Sequence, residues 1–445
     1  MEHGYPLAMI AMLLAGVFAG YPVAFVLAGT GVLFIFFSDL PVLFLSLGVS
    51  RIYSGILTNW LLIAVPLFVF MGLMLEKSGV AARLLKTMAS LLGPYPGGYA
   101  YAVALIGVVL AASTGIIGAS VVLMGLLAIP AMLKAGYDAR LATGLVAATG
   151  TLGILIPPSI MLIIVGDTLQ ISVGDLFIGA ILPGLLLSAL YFAFIFLVGV
   201  FSPHRMPPLA AADPVPLGRK LVTLGRDLLA PLALVTLVLG SIMAGVATPT
   251  ESAALGAVGA LVLALFSPDM SWRQLRDCVR ETTRTTAMIV FVMIGATIFS
   301  LVFKRLGGDS LVESLLFGFS EDPYVVLVII MAFVFVLGMV LEWVEITLVV
   351  LPLVVPVIAG LDFGMSKEAT LLWFAVLFAV NLQTSFLTPP FGYALFYVRG
   401  IAPPGVTIGT IYRGVIPFVA IQLLALAVTL LFPALVTWLP DRLLG

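Results

Sequence analysis

Long apolar blocks with few charges between them run along most of this chain. A helix needs about 20 apolar residues to cross a bilayer. On that measure the blocks predict spans at 60–75, 98–110, 140–156, 176–201, 228–244, 253–266, 286–303, 323–341, 370–382 and 409–438. The first block, 4–37, is too long for one span and holds Gly20-Tyr21-Pro22, so it reads as one long tilted helix or two short ones. Several blocks fall short of a full span, and the turn-rich pieces between them are also apolar, which predicts re-entrant hairpins. No alternating pattern of about 10-residue strands is present, which argues against a membrane β-barrel. The expected fold is an all-α polytopic membrane protein.

Two stretches break the oily pattern as aqueous loops, 202–226 and 268–284. Together they hold eight basic residues, Arg205, Arg219, Lys220, Arg226, Arg273, Arg276, Arg280 and Arg284. The positive-inside rule puts both in the cytoplasm. The segment between them then crosses an even number of times and reads as a helical hairpin turning at Ala247-Thr-Pro-Thr-Glu251. Glu251 is expected to cap that turn. The second loop has basic residues at helical spacing beside Leu275 and Val279, which predicts an amphipathic helix on the inner face.

Prolines supply the strongest motif. "LGILIPPSI" (152–160) and "SFLTPPFGY" (385–393) each place Pro-Pro inside an apolar run, and Pro157 and Pro389 are 232 residues apart. Proline lacks a donor and fixes φ, so each pair breaks a helix. A polar cluster precedes each break: Thr149, Gly150 and Thr151 in the first, Gln383, Thr384, Ser385 and Thr388 in the second. An apolar hairpin precedes each cluster, at 112–132 and at 341–357. Related tails follow, "SVGDLFIGAILPG" and "TIGTIYRGVIPFV". The chain therefore carries two copies of one order: hairpin, short helix, polar break, Pro-Pro, helix. Internal repeats with broken helices are the build of secondary transporters, where freed carbonyls bind cations. Irregular backbone survives at membrane depth only where protein or a water cavity satisfies it. Two proline kinks that bind nothing are the plain alternative.

Composition narrows the chemistry. Of 445 residues, 62% are hydrophobic and 9% charged, too few charges for a water-facing surface. A net charge of -1 argues against a nucleic-acid partner. Cys278 is the only cysteine and His3 and His204 are far apart, so neither a disulfide nor a clustered transition-metal site is expected. No phosphate-binding G-x-x-x-x-G-K-[ST] loop and no nucleophile pairing points to an enzyme. The start "MEHGYPL" lacks a basic signal region, so the first run is expected to stay as an anchor. Hard neutral oxygens suit an alkali cation. The candidate Na⁺ ligands are Ser113 and Thr114 in the first hairpin, the two polar clusters, and Glu342, a carboxylate that is costly at membrane depth unless paired. Glu345 beside it is an even choice between ligand and snorkelling interface residue. Arg399, after the second Pro-Pro helix, is a candidate partner for a substrate carboxylate, with an arginine at the membrane interface the plain alternative. Ser120, Pro157 and Pro389 complete the candidate substrate contacts, with small-residue helix packing the plain alternative for Ser120.

Six segments in order give the chain a resemblance to the large membrane subunit of TRAP (tripartite ATP-independent periplasmic) transporters. They are "GYPVAFVLAGTG" from Gly20, "PLFVFMG" from Pro66, "IPAMLKAGYD" from Ile129, "GTLGILIPPSI" from Gly150, "ATPTESAA" from Ala247 and "TPPFGYALF" from Thr388. "ASTGIIGAS" and "NLQTSFLTPPFGYALFYVRG" resemble the mannitol/chloroaromatic or 2-oxo-acid branch. The resemblance implies a multi-pass permease of the bacterial inner membrane with an elevator mechanism. It implies transport repeats at 98–201 and 311–409 and scaffold at 1–97 and 202–310, with a C-terminal helix over 410–445. It implies a separate four-helix small membrane subunit, for which this chain leaves no room. It also implies a soluble periplasmic binding protein, an organic-acid substrate and Na⁺ as coupling ion with no other cofactor. The family's first-hairpin sodium position falls at Ser113, Thr114 and Gly115, and the Pro-Pro breaks carry further backbone ligands. The family usually has Asp where this chain has Glu342, so the ion geometry there is expected to differ. A proton-coupled carrier using Glu342, and a non-transporting membrane scaffold, are the rival readings.

Overall fold

The structure, a computed structural model, describes residues 4–38, 40–115, 117–208, 217–267 and 270–443. Every regular element among them is helical. The first block divides into α1 (Gly4–Phe18) and α2 (Val23–Phe37), because Gly20 takes φ 84° and Pro22 ends donation ahead of the second helix. Next come α3 (Phe44–Ile52), α4 (Ala64–Lys77) and α5 (Val80–Leu92).

The first repeat is α6 (Gly98–Thr114), α7 (Ile117–Lys134), α8 (Ala139–Thr151), α9 (Ile160–Leu169) and α10 (Val173–Phe201). The linking hairpin is α11 (Leu217–Met243) and α12 (Pro249–Leu265). It turns where expected: Thr248 caps α12, and Glu251 reaches back to accept the Thr248 N–H at 2.8 Å. Then come α13 (Trp272–Arg305) and α14 (Gly308–Phe317). The second repeat is α15 (Pro323–Gly338), α16 (Trp343–Val349), α17 (Leu351–Gly360), α18 (Lys367–Ser385), α19 (Tyr393–Ile401) and α20 (Ile408–Leu431). The chain ends with α21 (Ala434–Leu443).

Four expectations are corrected. The hairpins are longer than 112–132 and 341–357. Their first limbs, α6 and α15, were predicted as separate spans, but α6 turns directly into α7 and α15 into α16. Nothing charged marks the first of those turns, so the apolar run gives no hint of it. The basic stretch after Ser271 is not a separate surface helix. It continues as the start of α13, whose 34 residues extend for about 50 Å, well beyond a bilayer core of about 30 Å. The loop 202–226 is already helical from Leu217, while 209–216 lie outside the described residues. The span 409–438 ends at Leu431, and α21 follows after Pro433.

Six helices among the described residues are long and apolar enough to cross a membrane, and α16 with α17 forms a bent pair at 54°. Outside the repeats α13 lies along α2 and α12 along α4. Inside them α20 packs on α8 and α18, and α10 on both α18 and α20. The two broken helices thereby occupy the centre, clad by the long helices that follow them.

Candidate functional site

In the first half α8 runs to Thr151, tightens into a 3₁₀ turn over Leu152–Ile154, and stops at Pro157–Pro158. Thr149, Gly150, Thr151 and Pro157 are all buried. Thr149 Oγ1 donates to the Leu145 carbonyl and Thr151 Oγ1 to the Ala148 carbonyl, each at 2.8 Å. A hydroxyl that donates backwards along its own helix keeps its lone pairs for another donor or a cation. The turn of the first hairpin lies against this break. Gly115, at φ 59°, is a conformation costly for other residues, and a Cβ there would meet the Ile160 nitrogen at 3.4 Å. A Cβ on Gly153 would meet the Ala111 carbonyl oxygen at 3.5 Å and the Gly115 Cα at 3.8 Å. Gly115 therefore packs against Gly153 and Ile160, on either side of the first Pro-Pro pair. The Ser113 and Thr114 side chains and Ile116 lie outside the described residues.

In the second half α18 runs to Ser385, and Pro389–Pro390 interrupts the chain before α19. Thr384, Ser385 and Thr388 donate at 2.8 Å to the carbonyls of Val380, Leu382 and Thr384. Both Pro-Pro bonds are cis. The second break is more open: Pro389 is half-buried, Pro390 is exposed and Phe391 is 50% exposed. It also carries the charge. Glu342 precedes α16 at the turn of the second hairpin, and its Oε1 accepts the Tyr393 hydroxyl at 3.0 Å. The Tyr397 hydroxyl donates in turn to Tyr393 at 2.9 Å. A Cβ on Gly118 would sit 2.8 Å from that Tyr397 oxygen, so the chain of hydroxyls reaches from the second hairpin to the first. Glu345 turns inward on its own helix, accepting the Glu342 N–H at 3.2 Å. Thr347, also on α16, is fully buried, and its hydroxyl meets no partner among the described residues.

The two breaks meet. Gln383 Nε2 lies 3.4 Å from Thr151 Oγ1, and these residues are separated by 232 positions, the spacing of the Pro-Pro pairs. Two equivalent positions of a repeat touch each other only beside the axis that relates the copies. Gln422, on α20, also reaches Thr151 Oγ1 at 3.4 Å and the Tyr191 hydroxyl of α10 at 2.7 Å. All four residues are essentially inaccessible to solvent.

Two further candidates lie on the neighbouring helices α19 and α7. Arg399, exposed on α19, donates to the Val406 carbonyl at 3.1 Å and so ties down the following loop. Ser120 is buried in α7. A cavity of about 460 Å³ separates the second hairpin from α2 and α13, lined by Glu342, Glu345, Arg284, Pro22 and Phe291 among others. Sequence reasoning missed Tyr393, Tyr397, Thr347, Gln422 and Tyr191. The tyrosines at i and i+4 and the single amide in an apolar helix were the available signals.

Paired hairpins and broken helices are a build found in secondary transporters of membranes. Residues 9–435 match the family described as "Tripartite ATP-independent periplasmic transporter, DctM component", and the chain belongs to that family. The C4-dicarboxylate TRAP transporter large permease protein of Pseudomonas aeruginosa is 30% identical, covering 86% of this chain and 87% of that one. The 2,3-diketo-L-gulonate TRAP large permease of Escherichia coli is 26% identical over 97% of both chains. Among solved structures the YdaH transporter of Alcanivorax borkumensis superposes with a TM-score of 0.63 at 15% identity, covering 88% of each chain, which shows a shared fold. The protein is thus a transport permease of the inner membrane and not an enzyme. TRAP large subunits work with a small subunit and a periplasmic binding protein.

Proposed function

We propose that this chain is the large permease subunit of a Na⁺-coupled, binding-protein-dependent importer of an organic acid, moving its two repeats as an elevator against the remaining helices. The observation that carries the reading is the meeting of two equivalent polar breaks at Thr151 and Gln383, each break facing a hairpin. The donor set fits an alkali cation. Threonine and serine hydroxyls already donate to their own helices, so their lone pairs are free for a hard ion. Gly115, Thr149 and Gly150, with Ser113 and Thr114, would hold one ion. Glu342, Thr384, Ser385 and Thr388 would hold another. The substrate would lie between the hairpins, near Tyr393, Tyr397, Ser120, Pro157 and Pro389.

The relatives' names point to the substrate class: a C4-dicarboxylate, an isethionate, a sialic acid and a diketogulonate permease all carry organic acids. A 2-oxo acid or another carboxylate is the corresponding substrate here. The small membrane subunit would complete the scaffold, and a soluble periplasmic protein would deliver the acid.

The test is uptake in proteoliposomes holding the permease, its small subunit and the cognate binding protein. An inward Na⁺ gradient should drive accumulation of the acid, and a pH gradient without Na⁺ should not. Accumulation driven by pH alone would instead support proton coupling, a reading favoured by the hydroxyl chain Tyr397–Tyr393–Glu342.

A further inference from the structure

Four helices each send one polar side chain to the place where the repeats meet: Thr151 from α8, Gln383 from α18, Tyr191 from α10 and Gln422 from α20. All four are buried at 1% exposure or less. Thr151 Oγ1 gives its own hydrogen to Ala148 and receives both glutamine amides. Gln383 Oε1 and Gln422 Oε1 are buried without a partner among the described residues. Leaving a buried amide oxygen unpaired costs about 1–3 kcal/mol. Leucine at positions 383 and 422 would avoid that cost, so hydrophobic packing gives no reason for the amides. In some proteins buried polar groups are kept because they select one arrangement among alternatives. Here they fix the relation between the two breaks: Thr151 directly precedes the 3₁₀ turn of the first, and Gln383 lies two residues before Ser385 of the second.

We propose that Thr151, Gln383, Gln422 and Tyr191 are positioning residues that couple the two ion-binding breaks, so that occupancy of one sets the geometry of the other. None of the four needs to touch the ion. Thr151 spends its oxygen on two amides, and any shift of the first break moves Gln383 through that shared acceptor. Binding at two such sites is cooperative by an amount equal to their coupling free energy. The inference rests on the Na⁺-coupled reading, and its test separates the two.

The experiment is the Na⁺ dependence of uptake by the complete complex in proteoliposomes, comparing wild type with Thr151→Val, Gln383→Leu, the double variant and Thr151→Ser. Wild type should show a Hill coefficient above unity. Thr151→Val and Gln383→Leu should each bring it toward unity, the double variant no further than either single. Thr151→Ser, which keeps the hydroxyl, should retain cooperativity. A Hill coefficient unchanged in both single variants, with uptake otherwise Na⁺-dependent, would overturn the coupling role. Uptake by wild type without any Na⁺ dependence would overturn the Na⁺ reading itself. Should the double variant fold poorly, Gln422→Leu supplies the same comparison from outside the breaks.

Discussion

The two halves share a backbone plan but not a chemistry. In the first, the break is sealed: Thr149, Gly150, Thr151 and Pro157 are buried and its hairpin turns on Gly115. In the second, Pro390 and Phe391 reach the surface, and the hairpin turns beside a carboxylate held by Tyr393. Packing explains what is common. In each half a glycine on the first hairpin limb admits a hydroxyl residue of the broken helix: Gly107 against Thr149, and Gly338 against Ser385. The difference lies in the chemistry at the hairpin turn: the second carries Glu342 held by Tyr393, while the first turns on the uncharged Gly115.

Glu342 is the sharpest point of difference. Replacing it with alanine should weaken apparent Na⁺ affinity about a hundredfold, or about 2.7 kcal/mol, while Glu342→Asp retains most of it. Na⁺-activated uptake measures both. Unchanged activation in Glu342→Ala would remove the acid from the site.

The glycines test the shared half of the comparison. A Cβ at Gly107 would fall 2.4 Å from Thr149 Cβ, and one at Gly338 would fall 2.0 Å from Ser385 Oγ. Gly107→Ala and Gly338→Ala should each destabilise the permease by about 1–3 kcal/mol, as overpacked cores do. Thermal unfolding in detergent would show it, and a marked inequality between them would mean the halves are not equivalently packed.

Tyr393→Phe removes the hydroxyl that the Glu342 carboxylate accepts. A net loss of about 1 kcal/mol corresponds to roughly fivefold weaker Na⁺ activation, with Tyr397→Phe weaker still in effect. An effect from Tyr397→Phe exceeding that of Tyr393→Phe would put the functional contact at the first hairpin instead.

The smallest expected effect concerns the entry to each broken helix. Asp138 caps α8 and pairs with Arg205 at 2.8 Å, whereas the uncharged Ser366 caps α18. Partial burial raises the Asp138 carboxyl, but the Arg140 N–H and the Arg205 guanidinium outweigh it and hold the group below the usual carboxylate value. A lowered value stabilises the fold above the ordinary carboxylate range, and that contribution disappears as pH falls through the lowered value. The pair is partly exposed, so the loss should be under about 1 kcal/mol. Acid unfolding of wild type and Asp138→Asn should converge at low pH, while Ser366→Ala shifts stability equally at every pH.

Much of the architecture was legible because proline, glycine and caps act locally. The break at Gly20–Pro22, the turn at Thr248–Glu251 and both Pro-Pro interruptions stand where the sequence puts them. The hairpin limbs were not legible, since an apolar run looks the same whether it continues or folds back. The continuity of α13 was hidden because its charged start and apolar end read as different environments. The polar breaks were visible as clusters, but not that Thr151 and Gln383 face each other. Nor was Gln422, a single amide 39 positions beyond Gln383, visible as their partner.

The central claim is that the paired breaks bind Na⁺ and that the acid of the second half makes the binding possible. A ligand that binds only the folded state raises its stability by RT ln(1 + [L]/Kd). The direct measurement is the thermal unfolding of the purified permease complex in NaCl and in KCl at equal ionic strength, for wild type and Glu342→Ala. Na⁺ should raise the wild-type midpoint above that in K⁺, and the difference should vanish in the variant. Equal midpoints of the wild type in the two salts would contradict it.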